Sequence, residues 1–310
     1  MKVLVTGGAG FIGSHIVEKL LITGYRVSVL DNFSSGSIRN LKKARSSIKL
    51  IRGDIRSSKT CLHSTRGVDC LLHQAALRSV PKSMLNPREY NQVNIQGTLN
   101  LLEAARINRV KSFVFASSSS VYGEVKTFPE KESFKPGPIS PYALTKLSGE
   151  HYCRMFSIHY GLPTVSLRYF NVFGPRQSLD DEYSVVIPKF ITCMLANKRP
   201  PIYGSGKQSR DFTYVANVVE ANLLAMRRTN ATGEVFNVAG GKDYTILKLA
   251  DILNSLIGKD LAPKFLPKRS GDVFRTRADL ASIRKKLKFR PKTDFITGLK
   301  LTVESFRGRK

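Results

Sequence analysis

Only four cysteines occur in 310 residues: Cys61, Cys70, Cys153 and Cys193. They are scattered and lack metal-ligand spacing, so they read as reduced, structural thiols of a cytoplasmic protein, with no metal expected. No apolar run is long enough to span a membrane. Internal repeats, low-complexity tracts and flexible linkers are also missing. A glycine-rich turn begins within six residues of Met1, so no signal peptide is expected ahead of it. Acidic residues are scarce, with 23 Asp and Glu against 50 Lys and Arg and a net charge of +27. Such a balance suits a polyanion or an anionic membrane face. Here the charge is spread along the chain, without a dense arginine tract or a nucleic-acid motif. The richest stretch, Lys268 to Lys310, holds 14 basic residues against 4 acidic, much of it in helix-surface pattern such as Arg284-Lys285-Lys286-Leu287-Lys288. The basic excess is read as a solvated face. No nucleic acid is expected, and peripheral membrane or polyanion association has no motif behind it.

What the chain does have is ordinary globular material: 42% hydrophobic residues and a mean hydropathy of −0.16. Its length suffices for one large or two coupled domains. The organising stretch is MKVLVTGGAGFIGSH. Lys2 to Thr6 is a short β-branched run, read as a buried strand. Gly7, Gly8, Gly10 and Gly13 follow, and then apolar residues at helical spacing: Phe11, Ile12, Ile16, Val17, Leu20 and Leu21. Strand, glycine turn and helix are the context of a dinucleotide-phosphate site. Glycines let backbone N–H groups approach the pyrophosphate, and the helix start offers unpaired donors. Asp31 ends a second strand, Tyr25 to Leu30, eighteen residues after Gly13. A carboxylate there accepts from the adenosine ribose and repels a 2′-phosphate, which favours NAD over NADP.

Strands and helices alternate onward. Ile48 to Ile51 is a third strand ending in Gly53-Asp54-Ile55, where Asp54 is placed to reach the adenine amine. Val68 to His73 runs into Gln74-Ala75-Ala76-Leu77, whose small residues let a cofactor lie close. Asn86 to Arg106 reads as one long helix with Asn94 facing in. Val110 to Ala116 leads to Ser117 to Ser120. Ser140-Pro141-Tyr142 opens a helix to about Tyr160, and Thr164 to Tyr169 is a sixth strand. Helices or strands follow at Ile187–Asn197, Pro201–Gly206, Tyr214–Arg227, Glu234–Val238, Thr245–Ile257, Ala278–Leu287 and Phe295–Phe306. The pattern is α/β: a doubly wound parallel Rossmann-type sheet with a smaller mixed α/β C-terminal substrate lobe. The expected division gives residues 1–170 plus about 210–232 to the NAD-binding domain, and about 171–209 plus 233–310 to the lobe. Most of the polar clusters fall at the carboxyl ends of strands, where ligands of such sheets bind.

Tyr142 and Lys146 are four apart and share a helical face. A phenol of pKa about 10 is a poor base at neutral pH, and a nearby cation favours its phenolate. Lys146 is expected to supply that cation, and Ser118 to relay the proton. Y-x-x-x-K alone is weak, as is a serine run. Their order after a dinucleotide loop is what gives them weight.

The chain resembles the NAD-dependent epimerase/dehydratase family of extended short-chain dehydrogenases/reductases from Met1 to roughly Leu301. TGGAGFIGSH, the Asp31-Asn32 strand end, Gly53-Asp54, SSSSVYG, SPYALTK and RYFNVFGPR match in order and spacing. Within the family it most resembles UDP-glucose/UDP-galactose 4-epimerases, particularly those acting on UDP-N-acetylhexosamines, through QAALRSVPKSMLNP and SVVIPKF. The resemblance implies Ser118, Tyr142 and Lys146 as the catalytic set. It implies cofactor contacts at Gly7, Gly10, Phe11, Ile12, Gly13, Asp31, Asn32, Asp54, Ile55, Gln74, Ala75, Ala76, Asn94 and Tyr169, besides Tyr142 and Lys146. For the substrate it implies Asn171 on the sugar diphosphate, with Ser118, Ser119 and Tyr142 at the sugar. Val186, Ile187 and Lys189 open the nucleotide-sugar helix, and Ile202 and Tyr203 flank the uracil. Arg210 and Arg269 match basic residues on the diphosphate, and Asp272 an acceptor for the uridine ribose. Guanidinium forks suit a diphosphate. Arg78 stands where relatives often carry lysine or a small residue. Thr276 falls at the gate of the sugar pocket, and its small size leaves room for a 2-acetamido group. A homodimer through the Asn86–Arg106 and Tyr142–Tyr160 helices is implied as well.

Other readings stay open. A 4,6-dehydratase needs an Asp-Glu pair where Ser119-Ser120 stand. A UDP-uronate 4-epimerase would suit the basic chain and the small gate. A non-catalytic nucleotide or polyanion binder would have no need of Tyr142 at that spacing.

Overall fold

The computed structural model describes residues 1–178, 186–228, 230, 232–268 and 273–308. Its central sheet has seven strands, all paired in parallel. Six come from the first half: β1 (Lys2–Thr6), β2 (Arg26–Asp31), β3 (Ile48–Arg52), β4 (Cys70–His73), β5 (Ser112–Ser118) and β6 (Thr164–Tyr169). The seventh is Glu234–Val238, and the order is Glu234–Val238, β6, β5, β4, β1, β2, β3. The chain runs outward from β1 to β3, then returns to lay β4 on the other side of β1. That reversal opens a crevice at the carboxyl ends of β1 and β4.

Both faces of the sheet are covered, which is why β1, β4 and much of β5 read as apolar runs rather than alternations. Along β1, Val3 and Val5 enter the core on one face and Leu4 the core on the other. Along β5, Val114 and Ala116 oppose Phe113 and Phe115 in the same way. Burying each such large side chain contributes roughly 1.5–3 kcal/mol.

The helix Pro141–Tyr160 shows how local sequence sets a boundary. Ser140 accepts the Ala143 N–H at 3.2 Å, Pro141 fills the first turn, and Gly161 ends the helix at φ +67°. The expected helix over Asn86–Arg106 is broken into Pro87–Tyr90, a π segment Asn91–Gln96, and Gly97–Ile107. π turns insert a residue and re-aim side chains, commonly at functional sites. Here the segment carries Asn94.

A third core holds the C-terminal lobe, where Val186–Leu195, Ile246–Ile257 and Phe295–Arg307 surround Phe173, Phe212 and Tyr214. Its strand pairs are very short. Ser209–Asp211 runs antiparallel to Asp243–Thr245, and Pro201–Tyr203 parallel to Lys264–Leu266. Pieces of three residues have no readable period, so the sequence pointed only to the Pro201 stretch. Glu234–Val238, assigned above to the lobe, instead forms the edge of the large sheet beside β6. Phe236 and Val238 are fully buried there, so the strand follows its apolar burial. Among the described residues, no helix is long and apolar enough to cross a membrane.

Candidate active site

The glycine turn is shaped by contact. Gly7 has φ +67°, and a Cβ there would lie 2.7 Å from the Ala75 backbone nitrogen. A Cβ on Gly13 would collide with the Gly7 carbonyl oxygen. Any side chain would therefore push β1, β4 and the following helix apart. Gly10 starts the helix Phe11–Ile22 with no side-chain cap, and no acidic residue occupies the first turn. That cradle fits a dinucleotide pyrophosphate: backbone donors at a positive dipole end, with no acidic residue in the first helical turn. Half-buried Ala75 and Ala76 flank it at the end of β4.

Asp31 is buried at the end of β2. It accepts the Ala9 and Phe33 N–H groups, both at 2.8 Å. Burial raises its pKa, and those two hydrogen bonds oppose the rise. It therefore pins the glycine turn, and each oxygen keeps a further lone pair. Asp54 differs from expectation. Its oxygens already accept from the Arg56 side chain at 3.0 and 2.8 Å, from the Arg56 N–H at 2.8 Å and from Asn32 at 2.9 Å. Hydrogen bonding from Arg56 holds its pKa down, at about 2. Each oxygen is thus already doubly engaged, which leaves little for an adenine amine. Ile55 is buried in the core, whereas Phe11 and Ile12 are half-buried at the helix start.

Asn94 and Tyr169 act as brackets. Asn94 accepts the Leu77 N–H and donates to the Leu77 carbonyl, both at 2.9 Å, and donates to Thr145 Oγ1 at 3.0 Å. Both amide hydrogens join the strand-end loop to the tyrosine helix. The Tyr169 hydroxyl donates to Gln74 Oε1 at 3.2 Å and shares a hydrogen bond with Asn222 at 2.7 Å. Gln74 in turn donates to Asn222. Burial pushes the Tyr169 phenol well above its ordinary value.

Ser118, Tyr142 and Lys146 come together at the carboxyl end of β5. Ser118 Oγ accepts the Ser120 N–H at 3.2 Å and the Ser120 hydroxyl at 2.9 Å, which leaves its own hydrogen to donate. Tyr142 has a raised pKa from burial, opposed by its hydrogen bond with Ser118 and by the charge of Arg78. Lys146, the cation expected from the sequence, lies one helical turn on and is buried. Its buried Nζ donates to the Ala116 carbonyl at 2.9 Å and stands 6.0 Å from the Tyr142 ring centroid. Burial brings its pKa down to about 8. Sequence reasoning missed Tyr90, a buried ring packed edge-on to Tyr142 at 6.5 Å, whose hydroxyl accepts the Ser79 N–H at 3.1 Å. It missed as well the buried Arg168–Glu150 pair, 2.7 Å apart beneath the serine run, where Ser117 donates to Glu150. Neither has a local motif. Ser119 is half-buried beside Ser118.

On the substrate side, Asn171 sits at φ +34° and donates to the Asp211 carbonyl at 3.1 Å and to Thr276 Oγ1 at 3.0 Å. Both its amide hydrogens are engaged, so a side-chain grip on a diphosphate requires one to be exchanged. Thr276 is buried and accepts the Asp211 N–H too. Arg210 donates to the Ser209 and Phe274 carbonyls. Ile187 and Ile202 are buried in the lobe core, whereas Val186 and Tyr203 are half-buried and Lys189 is exposed. Apolar residues of a small lobe are claimed by its core first. Arg269 and Asp272 lie outside the described residues.

A doubly wound sheet with a bare glycine cradle, and a tyrosine, a serine and a lysine meeting at the same edge, defines a dinucleotide-dependent enzyme. The family is given by comparison: the chain belongs to the NAD dependent epimerase/dehydratase family, whose model matches residues 3–239. A putative UDP-glucose 4-epimerase of Methanocaldococcus jannaschii is 38% identical over 303 residues, 97% of each chain. The structure of a UDP-N-acetylglucosamine 4-epimerase from Methanobrevibacter ruminantium, in complex with UDP-N-acetylmuramic acid, superposes with a TM-score of 0.95 at 42% identity, over 100% of this chain and 99% of that one. The dTDP-glucose 4,6-dehydratase DesIV of Streptomyces venezuelae, with NAD bound, reaches 0.93 at 32% identity, over 100% and 98%.

Proposed function

We propose that this protein interconverts the C4 epimers of a UDP-hexose with NAD as a resident cofactor, and that UDP-N-acetylhexosamines are among its substrates. The observation that carries the reading is the meeting of Ser118, Tyr142 and Lys146 beside the Gly7–Gly13 cradle. The cradle and Asp31 would hold the pyrophosphate and ribose. When bound, NAD supplies a hydride acceptor and donor at C4 and a positive charge near the phenol. Tyr142 takes the proton from the O4 hydroxyl, and the same residue returns it after the 4-keto sugar has turned over. Ser118, with its lone pairs occupied by Ser120, donates toward the phenolate and so favours the basic form. Lys146, fixed by the Ala116 carbonyl, adds its charge one turn away. General-base help of this kind contributes roughly 10²–10⁴-fold.

Acetamido tolerance is supported by the small Thr276 and by the 42% identity to an enzyme named for UDP-N-acetylglucosamine. The dehydratase reading is disfavoured: Ser119 and Ser120 supply no carboxylate, and Ser120 is turned onto Ser118. A homodimer through the Pro87–Ile107 and Pro141–Tyr160 helices is supported by exposed Ile107, Leu144, Met155, Ile158 and Tyr160 on those helices. A monomeric mass in light scattering at micromolar concentration would count against it.

The test is incubation with UDP-glucose and UDP-GlcNAc separately, following the anomeric protons by NMR. Galacto-configured product from UDP-GlcNAc is expected. Conversion of UDP-glucose alone would keep the mechanism and overturn the open gate, whereas a 4-keto-6-deoxy product would overturn the epimerase.

A further inference from the structure

A second concavity lies in the C-terminal lobe. It is a cleft of about 650 Å³, and none of its lining residues belongs to the set expected to hold NAD or the sugar nucleotide. Four separate segments build it, and three bring cations: the loop after the edge strand brings Lys242, the short helix Ala281–Leu287 brings Arg284, and the turn before Phe295 brings Arg290 and Lys292. Its floor is aromatic. Phe295 stacks on Phe212 at 5.2 Å and on Tyr244 at 4.3 Å between ring centroids, and Lys242 Nζ lies 5.4 Å from the Tyr244 centroid.

The charges are unbalanced in a telling way. Lys292 has a weak exposed pairing with Glu220 at 3.4 Å. The side chains of Arg284 and Arg290 form no ion pair or hydrogen bond among the described residues, and Lys242 has only its ring contact. Asp294 is the single acid of the lining, and its carboxylate is taken up in capping the Phe295–Arg307 helix through Thr297, at 3.0 and 2.7 Å. Like charges drawn from distant parts of the sequence onto one concave wall repel one another. A cleft with an apolar floor concentrates their field. A multivalent anion relieves that repulsion, and guanidinium forks hold phosphoryl oxygens two at a time.

We propose that this cleft is a second ligand site, and that it takes a small organic polyphosphate: two or more phosphoryl groups on Arg284, Arg290 and Lys242, with a ring-bearing carrier against the aromatic floor. The site adjoins the first through a backbone ladder. Tyr244 on its floor pairs directly with Arg210 across the Ser209–Asp211 and Asp243–Thr245 ladder.

The experiment is calorimetric titration of the whole protein, loaded with NAD, with inorganic tripolyphosphate, ATP and AMP. Binding needs no turnover, so its outcome is independent of the epimerase reading. Tripolyphosphate and ATP are expected to bind, ATP the tighter, and AMP weakly. Arg284→Ala/Arg290→Ala should weaken both by about tenfold or more. Arg210→Ala, in the other cleft, should leave them unchanged. Lys42→Ala/Lys43→Ala removes equal charge from an exposed turn and serves as the control. Equal loss in that control would mean that net charge alone attracts the anion. Loss confined to Arg210→Ala would place the anion in the sugar-nucleotide cleft. Either result overturns the second site, as does absence of binding to the wild type.

Discussion

Lys146 Nζ stands 6.0 Å from the ring centroid of Tyr142 and is tethered to the Ala116 carbonyl at 2.9 Å. The lysine is therefore held one helical turn from the ring, with two of its donors left over. If Tyr142 is the base, Tyr142→Phe keeps the packing against Tyr90 and removes only the ionisable oxygen. Sugar conversion should fall about 10²–10⁴-fold, while NAD released by heat denaturation, quantified by chromatography, stays at wild-type stoichiometry. Unchanged conversion would remove Tyr142 from the chemistry.

Arg78 is exposed, yet its charge acts on the phenol and opposes the rise caused by burial. Removing a cation disfavours the phenolate. Arg78→Gln should therefore move the acidic limb of the kcat/KM profile to higher pH. A profile that keeps its position and only scales down would show that Arg78 serves binding alone.

The Asn94 bracket holds three partners at once. Asn94→Leu leaves the half-buried Leu77 N–H and carbonyl without their partner, at a cost of about 1 kcal/mol or more. A urea unfolding series should show a lower midpoint at unchanged slope. An unchanged midpoint would mean that the loop finds other partners.

Glu130 is buried, and its Oε2 has no hydrogen-bond partner. Burial, aided by the charge of Asp211, lifts its pKa to about 8, and burial lifts Asp211 to about 7. The ordinary glutamate value is about 4.3. Between these limits the folded chain keeps a proton that the unfolded chain has released, so this contribution to stability is complete at acid pH and is lost as pH rises toward 8. The net charge of +27 has its own pH response, so the comparison must be between wild type and Glu130→Gln. The melting temperature of the variant relative to wild type should rise from pH 5 to pH 9. A constant difference would show that Glu130 does not titrate in this window.

The sheet and the cradle were legible because their signals are local. β1 and β4 follow apolar runs, Gly7 to Gly13 follow spacing, and Tyr142 with Lys146 follows one helical turn. The tethering contacts were not legible. Asn171 meets Thr276 across 105 residues, and Tyr169 meets Asn222 across 53. Asn94 faces in as expected, but the π segment that carries it has no sequence period of its own. The burial of Ile187 and Ile202 in the lobe core was not legible either, because family position cannot distinguish a lobe core from its lining.

The late return of Glu234–Val238 to the sheet bears on how the chain is made. β6 is buried along its whole length in the finished protein, but its outer neighbour is not synthesised until some seventy residues later. Throughout that interval the nascent sheet ends in a strand with open backbone groups, a template for pairing with another chain. Fragments that stop before Val238 therefore carry a sticky border, and soluble, separately folding halves are not to be had by cutting this gene product at residue 170.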